Sequence, residues 1–156
     1  MTDVGLPEGF EERTGDRGLL IWGYAPQLLI LSHPSVGAFL SHCGWNSMLE
    51  SVSVGVPVIT WPMFAEQSFN SKFLVENLGI GIQICLDMSS VVDEEDLRRA
   101  VTMLLAEEEG KHMRKRAQGL RKLAKIAVDK TGSSFTSLRC FVQEMQQLQH
   151  ARKLRK

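Results

Sequence analysis

The sequence predicts an α/β fold in which helices pack on a parallel β-sheet. In the first 86 residues, short apolar runs of strand length alternate with segments of helical spacing, and the rest of the chain has helical spacing. This alternation is typical of strand–helix units around a parallel sheet. At 156 residues, with 44% hydrophobic and 23% charged residues, the chain has the length and composition of one globular domain.

The first elements are separated by glycine and proline. Residues 1–18 are polar and contain Gly and Pro, so we expect a connector there. Residues 19–22 form an apolar run that Gly23 ends, which predicts a buried first strand. Residues 27–32 have the spacing of one or two helical turns. Residues 37–41 predict the second strand.

The middle of the chain predicts two strand–helix units. A helix is expected over residues 46–54, with an apolar face at Met48, Leu49 and Val52. The third strand, residues 56–61, stops at Pro62, and the fourth occupies residues 80–86. Between them, residues 64–78 predict a helix. Its inward side chains are expected to be Phe69, Phe73 and Val75 or Leu78.

The last third of the chain predicts three helices. Asp93 is a suitable N-cap for residues 94–106, with acidic residues in the first turn as the helix dipole favours. Residues 111–130 carry a stripe of Met113, Ala117, Leu120, Ala124 and Val128. After a break at residues 131–133, a final amphipathic stripe consists of Phe135, Leu138, Phe141 or Val142, Met145 and Leu148.

Charge and cysteine content exclude some classes of protein. Eighteen basic residues balance eighteen acidic ones, so bulk charge does not predict a polyanionic partner. Three widely spaced cysteines favour reduced thiols over a disulfide framework. Neither a bilayer-spanning apolar run nor a signal pattern is found. We expect a soluble, cytoplasmic protein.

The junction after the second strand carries the chemistry. His42 and Gly44 lie between the strand and a helix that opens at Asn46, and a helix start offers free N–H groups to an anion. Gly44 would let a phosphate approach the backbone. Taken singly, these features have plainer explanations. Ser47 and Glu50 fit a capping box, a lone His42 is commonly structural, and Glu66 suits a first helical turn.

Residues 24–67 resemble the signature box of the plant secondary-product glycosyltransferases, over its full length without a gap. The matching residues are Ala25-Pro26-Gln27, Leu31, His33-Pro34, Gly37, Phe39, His42-Cys43-Gly44-Trp45-Asn46-Ser47, Glu50, Gly55-Val56-Pro57, Trp61-Pro62 and Glu66-Gln67. Residues 6–10 and the Asp93 helix are similar to the family too. The resemblance implies the Rossmann-like, C-terminal nucleotide-sugar-binding domain of a GT-B enzyme, truncated at its N-terminal side.

The resemblance also implies a donor site for UDP-glucose. Its residues would be Tyr24, Ala25, Gln27, His42, Gly44, Trp45, Asn46, Ser47, Glu50, Glu66 and Gln67. Tyr24, the Ala25 backbone and Gln27 would hold the base and ribose, with Glu50 on the ribose hydroxyls. His42, Asn46, Ser47 and the helix start would hold the diphosphate. Trp45, Glu66 and Gln67 would face the sugar, and the family has Gln at the last position with glucose and His with galactose.

Tyr24 departs from the family pattern, which normally has Trp there. Because aromatic–base stacking is worth only ~1–3 kcal/mol per base, we expect weaker binding and not its loss. Trp22 lies two residues earlier, on the same face if the first strand continues that far. We hypothesise that Trp22 partly compensates.

The implied reaction transfers glucose, with inversion, to a hydroxyl of a small plant metabolite such as a flavonoid or another phenolic. No metal or other cofactor is expected, since the chain lacks an Asp-x-Asp pair and its acidic cluster, residues 93–96, reads as a helix start. The family's catalytic base is a His in a separate N-terminal domain. None of His33, His42, His112 and His150 has a matching context, so no catalytic residue is expected in this chain.

Two strands that precede residues 19–22 in the family are also missing, which predicts an exposed sheet edge or a gap in the sheet. In the family the terminal helix reaches back to the missing domain, so we expect exposed apolar surface on the last helices. Poor stability or self-association should follow. The predicted division is a connector at 1–18, a nucleotide-sugar-binding domain at 19–130, and a terminal helix with a basic tail at 131–156.

Three interpretations of function remain open. The first is part of a UDP-glucosyltransferase, and the second is a non-catalytic UDP-sugar-binding or interaction module. The third is nucleic-acid or membrane binding through the basic residues 111–130. Their charges flank an apolar stripe, so a solvated helix face is the simpler explanation. We therefore expect neither a nucleic-acid partner nor a membrane span.

Overall fold

The computed structural model describes residues 5–85 and 91–154, and these form seven α-helices and three strands. In chain order they are α1 (Phe10–Thr14), α2 (Gln27–Leu31), β1 (Phe39–Ser41), α3 (Trp45–Val54), β2 (Val58–Thr60), α4 (Gln67–Lys72), β3 (Gly81–Gln83), α5 (Glu94–Ala106), α6 (Glu108–Val128) and α7 (Ser133–Leu154). A 3-10 turn, Gly15–Arg17, follows α1, and a π-helical turn, Phe73–Asn77, follows α4.

The three strands form a parallel sheet in the order β1-β2-β3. Its register aligns Phe39 with Val58 and Val58 with Gly81. All of β2 is buried, as expected for the central strand of a sheet covered on both faces. Because the strands are parallel, their carboxyl ends meet at one edge, and α3 begins close to that edge. Three of the four predicted strands are confirmed in shortened form; Leu86 lies outside the described residues.

Alternation along β2 divides the core into two layers. Val58 faces one side and Ile59 the other. The Val58 layer contains Cys43, Met48, Leu74, Ile80 and Ala117, with Val52, Leu78 and Leu120 packed against it. The Ile59 layer contains Ala100 and Leu104, with Ala38, Ile82, Ile84, Leu97 and Met113 at its margin. Helices α3 and α6 therefore cover one face, and α5 covers the other.

The strand predicted at residues 19–22 is wrong. The chain is irregular there, and Leu19, Ile21 and Trp22 are exposed. A strand of this composition is stable only when a neighbouring strand satisfies its backbone groups and a helix covers its side chains. In the described residues the sheet ends at β1, so this run has neither.

The helix predicted at residues 64–78 begins later; of the side chains expected to face inward, Leu78 packs against the core, but Phe69 and Phe73 do not. Phe69 is 76% exposed, and Phe73 is also exposed, whereas Leu74 is fully buried. The buried face of α4 consists of Gln67, Asn70 and Ser71. The buried face of α4 is therefore polar. The π-helical turn that follows α4 changes which of the later side chains point inward. A hydropathy pattern cannot identify such a face.

The helices after the sheet agree with the predicted pattern. Asp93 accepts a hydrogen bond from the Asp96 backbone at 2.8 Å, which confirms it as the N-cap of α5. The guanidinium of Arg114, on α6, donates to the carbonyl of Leu104 near the end of α5. None of the described side chains of α7 is buried, so the predicted exposure of apolar surface is confirmed. Across residues 5–85 and 91–154, no helix is long and apolar enough to cross a membrane.

Candidate functional site

The turn between β1 and α3 presents an uncapped helix start. Gly44 is the N-cap residue of α3, no side chain caps it, and the first backbone hydrogen bond runs from Met48 N to Gly44 O at 3.0 Å. The capping-box explanation of Ser47 and Glu50 is therefore wrong, because Ser47 is the third helical residue. The amides of the first turn and the positive end of the helix dipole remain available for an anion.

The ring of His42 lies over Gly44. A Cβ atom added at Gly44 would come within 2.5 Å of His42 Nε2, so a larger residue would push the imidazole away. His42 is exposed beside the helix start. The ring can therefore reach a ligand that the first-turn amides bind.

Gln27 joins α2 to α3 through its amide nitrogen. Nε2 donates to Glu50 Oε2 at 2.7 Å and to Ser47 Oγ at 3.2 Å. These two bonds use both amide hydrogens, so only the Gln27 carbonyl oxygen is left for a ligand. In the described part of the chain, Glu50 Oε1 accepts no hydrogen bond. The structure thus brings Gln27, Ser47 and Glu50 together and leaves one carboxylate oxygen open.

The segment that leads into α2 is exposed. Tyr24 is 93% exposed, and Ala25 O accepts from Gln27 N at 2.8 Å. Gly23 has a φ of 90°, so the chain turns between Trp22 and Tyr24. Trp22, which is 71% exposed, lines a cleft with residues 6–12. The hypothesis that Trp22 shares a strand face with Tyr24 is therefore wrong.

Two predicted sugar-facing residues lie at the start of α4. Gln67 is only 4% exposed, and its Oε1 accepts from the backbone nitrogens of Met63 at 2.8 Å and Phe64 at 3.0 Å. This arrangement holds a loop in which Ala65 has a φ of 54°. It leaves the Gln67 amide nitrogen as the group that can donate to a ligand. Glu66 is exposed immediately before the helix, and Trp45 and Asn46 are exposed on the first turn of α3.

Two residues that the sequence did not indicate hold the β1–α3 turn. Cys43 has a φ of 65°, its backbone N–H donates to Ser41 Oγ at 3.1 Å, and its carbonyl accepts from Asn70 Nδ2 at 2.9 Å. Ser41 and Asn70 are buried. Asn70 lies three residues beyond the signature box, and that short spacing from Gln67 on one helix was the available signal.

Cys43 is a buried thiol, not a nucleophile. Burial, slightly offset by the Trp61 backbone and reinforced by nearby Cys85, raises the pKa of Cys43 to about 11 from 9.0. The thiolate is the reactive form of cysteine, so Cys43 is inert at neutral pH. Over the described residues, no group of three His, Cys, Asp or Glu side chains is arranged to hold a metal ion.

Comparison with a family model and with known sequences points to the same family of proteins. Residues 7–130 match the family described as UDP-glucoronosyl and UDP-glucosyl transferase. Scopoletin glucosyltransferase of Nicotiana tabacum is 48% identical over 145 residues, which cover 90% of this chain and 30% of that protein.

Two solved structures share the fold. They are UGT73P12 of Glycyrrhiza uralensis, complexed with glycyrrhetinic acid 3-O-monoglucuronide, and TcCGT1 in complex with UDP. The first has a TM-score of 0.85 at 40% identity, covering 92% of this chain and 31% of its own. The second has a TM-score of 0.84 at 40% identity, covering 90% and 30%. The agreement confirms the predicted α/β, GT-B-type fold class, and this chain spans about 30% of the length of these relatives.

Proposed function

Because this chain belongs to the plant UDP-glycosyltransferase family, we propose that the amino end of α3 binds the uridine diphosphate of a UDP-sugar donor. The observation that carries the proposal is the uncapped start of α3 beside the hydrogen-bonded Gln27, Ser47 and Glu50. Free amides and the helix dipole suit a diphosphate, and a carboxylate suits ribose hydroxyls.

Each group near the helix start has a role in this proposal. The backbone amides, with His42, Asn46 and Ser47, bind the phosphate oxygens. Gln27 holds Glu50 by one oxygen, so that Oε1 accepts from the ribose. Tyr24 stacks on the uracil, and the Ala25 backbone contacts the base. The pyrophosphate of TcCGT1-bound UDP is the ligand chemistry that this arrangement suits, and that structure has the same fold.

The proposed donor sugar is glucose. Gln67 stands at the position where the resemblance associates Gln with glucose, and its side-chain carbonyl is already held by the Met63 and Phe64 amides. Its amide nitrogen then donates to a sugar hydroxyl, with Glu66 and Trp45 beside the same sugar. A site built on directional hydrogen bonds discriminates strongly against a sugar that leaves one of them unpaired.

We propose that the complete protein transfers glucose to a hydroxyl of a small phenolic. The acceptor oxygen attacks the anomeric carbon with inversion, the bond to the UDP oxygen breaks, and the acceptor proton passes to a base outside this chain. The α3 dipole and neutral donors stabilise the departing UDP, so binding and transfer should not require a metal. Equal UDP affinity with magnesium and with EDTA would support that point.

Isothermal titration calorimetry with UDP tests the donor site. We expect UDP to bind the wild-type chain, and Glu50→Gln to weaken it by about tenfold, as expected when a hydrogen bond to a charged group is lost. Glu76→Gln is the matched control, because Glu76 is an exposed carboxylate whose oxygen lies 3.8 Å from Lys72 Nζ. The proposal fails if the folded wild-type chain shows no heat of binding with UDP.

The second candidate is a module that binds a UDP-sugar without transferring it. Binding needs only groups that this chain contains, namely the α3 start and Glu50. A transfer assay with UDP-glucose and a flavonoid separates the two candidates. UDP-glucose binding with no glucoside formed would support the module, and a glucoside product would support the enzyme.

A further inference from the structure

The left-handed backbone of Cys43 is held by two buried side chains. Its φ of 65° is unusual for a residue with a side chain. Ser41 Oγ accepts from its N–H, and Asn70 Nδ2 donates to its carbonyl. Both polar groups of this residue are therefore satisfied by side chains and not by the sheet. Cys43 lies between His42 and Gly44, at the centre of the proposed phosphate-binding turn.

The bond from Asn70 sets the direction of the next amide. A trans peptide is planar, so the Cys43 carbonyl and the Gly44 N–H point in opposite directions. Since Asn70 holds the carbonyl toward the protein interior, the Gly44 N–H must point away from α4. That N–H is the first of the unpaired donors at the start of α3.

We propose that Asn70 is a positioning residue for diphosphate binding, acting with Ser41 through the Cys43–Gly44 peptide. This inference rests on the proposed function and extends it to two residues that would not touch the ligand. Without Asn70 the buried Cys43 carbonyl lacks a partner, which is unfavourable. The peptide then rotates to find one, and the Gly44 N–H turns with it.

Helix α4 holds two parts of the proposed donor site in place, the sugar end and the diphosphate end. Gln67 is the first residue of α4, and Asn70 follows one turn later on the buried face. The helix thus holds the loop at Met63 and Phe64 through Gln67, and the turn at Cys43 through Asn70. Of these two α4 side chains, Asn70 is the one that holds the turn at the diphosphate end.

The test compares the binding of UDP with that of uridine, which lacks the phosphates. Asn70→Asp keeps the size of the side chain but removes the donor. We expect it to weaken UDP binding by at least about tenfold, as expected for loss of a well-placed hydrogen-bond donor, while uridine binding by NMR titration stays the same. Ser41→Ala should also weaken UDP binding and leave uridine binding unchanged. It serves as the test variant if Asn70→Asp does not fold.

Ser71→Ala is the matched control. Ser71 is the next residue on α4, is fully buried, and donates one hydrogen bond to Thr60 Oγ1 at 2.7 Å. It faces β2 and not the turn, so its loss should lower the free energy of unfolding without changing the ratio of UDP to uridine affinity. Urea unfolding of every variant measures that free energy.

Four outcomes decide the inference. A fall in UDP affinity alone supports it. Unchanged UDP affinity in a folded Asn70→Asp protein overturns it. An equal loss of UDP and uridine affinity also overturns it, because it indicates that the whole site has lost order. If the wild-type chain does not bind UDP, the proposed function fails and this inference fails with it.

Discussion

Tyr24 occupies the position where stacking on the base is proposed. The side chain is almost fully exposed and free of packing contacts that would prevent a ring from lying on it. Because a larger indole adds contact area with the base, we expect Tyr24→Trp to tighten UDP binding by about two- to tenfold, a fraction of the total stacking energy. Calorimetry with UDP measures the change.

Trp22→Tyr is the control for that substitution. Trp22 lines the cleft with residues 6–12 and is separated from Tyr24 by the turn at Gly23. The Trp22→Tyr substitution should therefore leave UDP affinity unchanged. Weaker or equal binding by Tyr24→Trp would argue against the stacking role of Tyr24.

Cys43 makes the stability of the chain sensitive to alkaline pH. Burial raises the pKa of its thiol to about 11, above the ordinary 9.0. Between these values the unfolded chain loses the proton that the folded chain keeps, so the free energy of unfolding falls as pH rises from 9 to 11. The fall attributable to Cys43 is at most roughly 3 kcal/mol.

Urea unfolding at a series of pH values checks this expectation. Cys43→Ala should be less stable at pH 8 but lose less stability on going to pH 11. Cys140→Ala, which changes an exposed thiol, should keep the wild-type pH dependence. Identical slopes for wild type and Cys43→Ala would show that the folded thiol titrates normally.

Helix α4 shows where a sequence-based prediction reaches its limit. Its existence follows from spacing, but Phe69 looked like a core residue and is exposed, while Asn70 and Ser71 are buried. Their burial depends on partners in other elements, Cys43 and Thr60, that come together only in the folded chain. Hydrophobic periodicity carries no information about such polar contacts, so Phe69 and Phe73 were wrongly predicted to face inward, whereas Leu78 does pack against the core.

The candidate site was predictable to a similar degree. The resemblance over residues 24–67 supplied the residues of the proposed donor site, and the structure joins three of them, Gln27, Ser47 and Glu50, by hydrogen bonds. The helix start after Gly44 followed from strand–helix alternation alone. For Asn70 the sequence offered only its spacing from Gln67 on one helix, because its contact with Cys43 spans 27 residues and the left-handed turn has no sequence signature.

The start of α4 allows two roles of Gln67 to be separated. Its carbonyl holds the Met63–Phe64 loop, and its amide nitrogen is proposed to donate to the sugar. Gln67→Glu keeps the acceptor oxygen that holds the loop and replaces the amide donor by a second acceptor oxygen. We expect the loop to stay in place and UDP-glucose affinity to fall by about tenfold, with UDP affinity unchanged.

Gln67→Met is the companion variant, since it removes both roles. It should lower the free energy of unfolding by about 1–3 kcal/mol, because two buried backbone amides lose their acceptor. Calorimetry with UDP and with UDP-glucose, followed by urea unfolding, measures both effects. Equal weakening of both ligands by Gln67→Glu would contradict a contact with the sugar.

The whole molecule exposes far more surface than a compact protein of its mass. Its accessible surface is 11942 Å² for 17.5 kDa, against about 7,900 Å² for a typical folded monomer of that size. Helix α7 contributes much of this excess accessible surface. Its exposed apolar stripe consists of Phe135, Leu138, Phe141, Val142, Met145 and Leu148. A continuous apolar face of this kind commonly marks an interaction surface.

We expect the isolated chain to self-associate through the α7 stripe. Sedimentation velocity over a range of concentrations should show species larger than the 17.5 kDa monomer. The double variant Leu138→Lys, Phe141→Lys should shift the chain toward monomer, because charged groups cannot be buried without a partner. The control double variant Gln143→Lys, Gln147→Lys adds the same charge to the same helix at polar positions. It should not shift the chain toward monomer.

The edge strand β1 is the competing surface. Leu40 is exposed on it, and an unpaired edge can recruit a strand from another copy. If Leu40→Lys gave monomer while the α7 variant still associated, the sheet edge and not the stripe would be the contact. A wild-type chain that stays monomeric at every concentration, and unfolds reversibly in one transition, would contradict both.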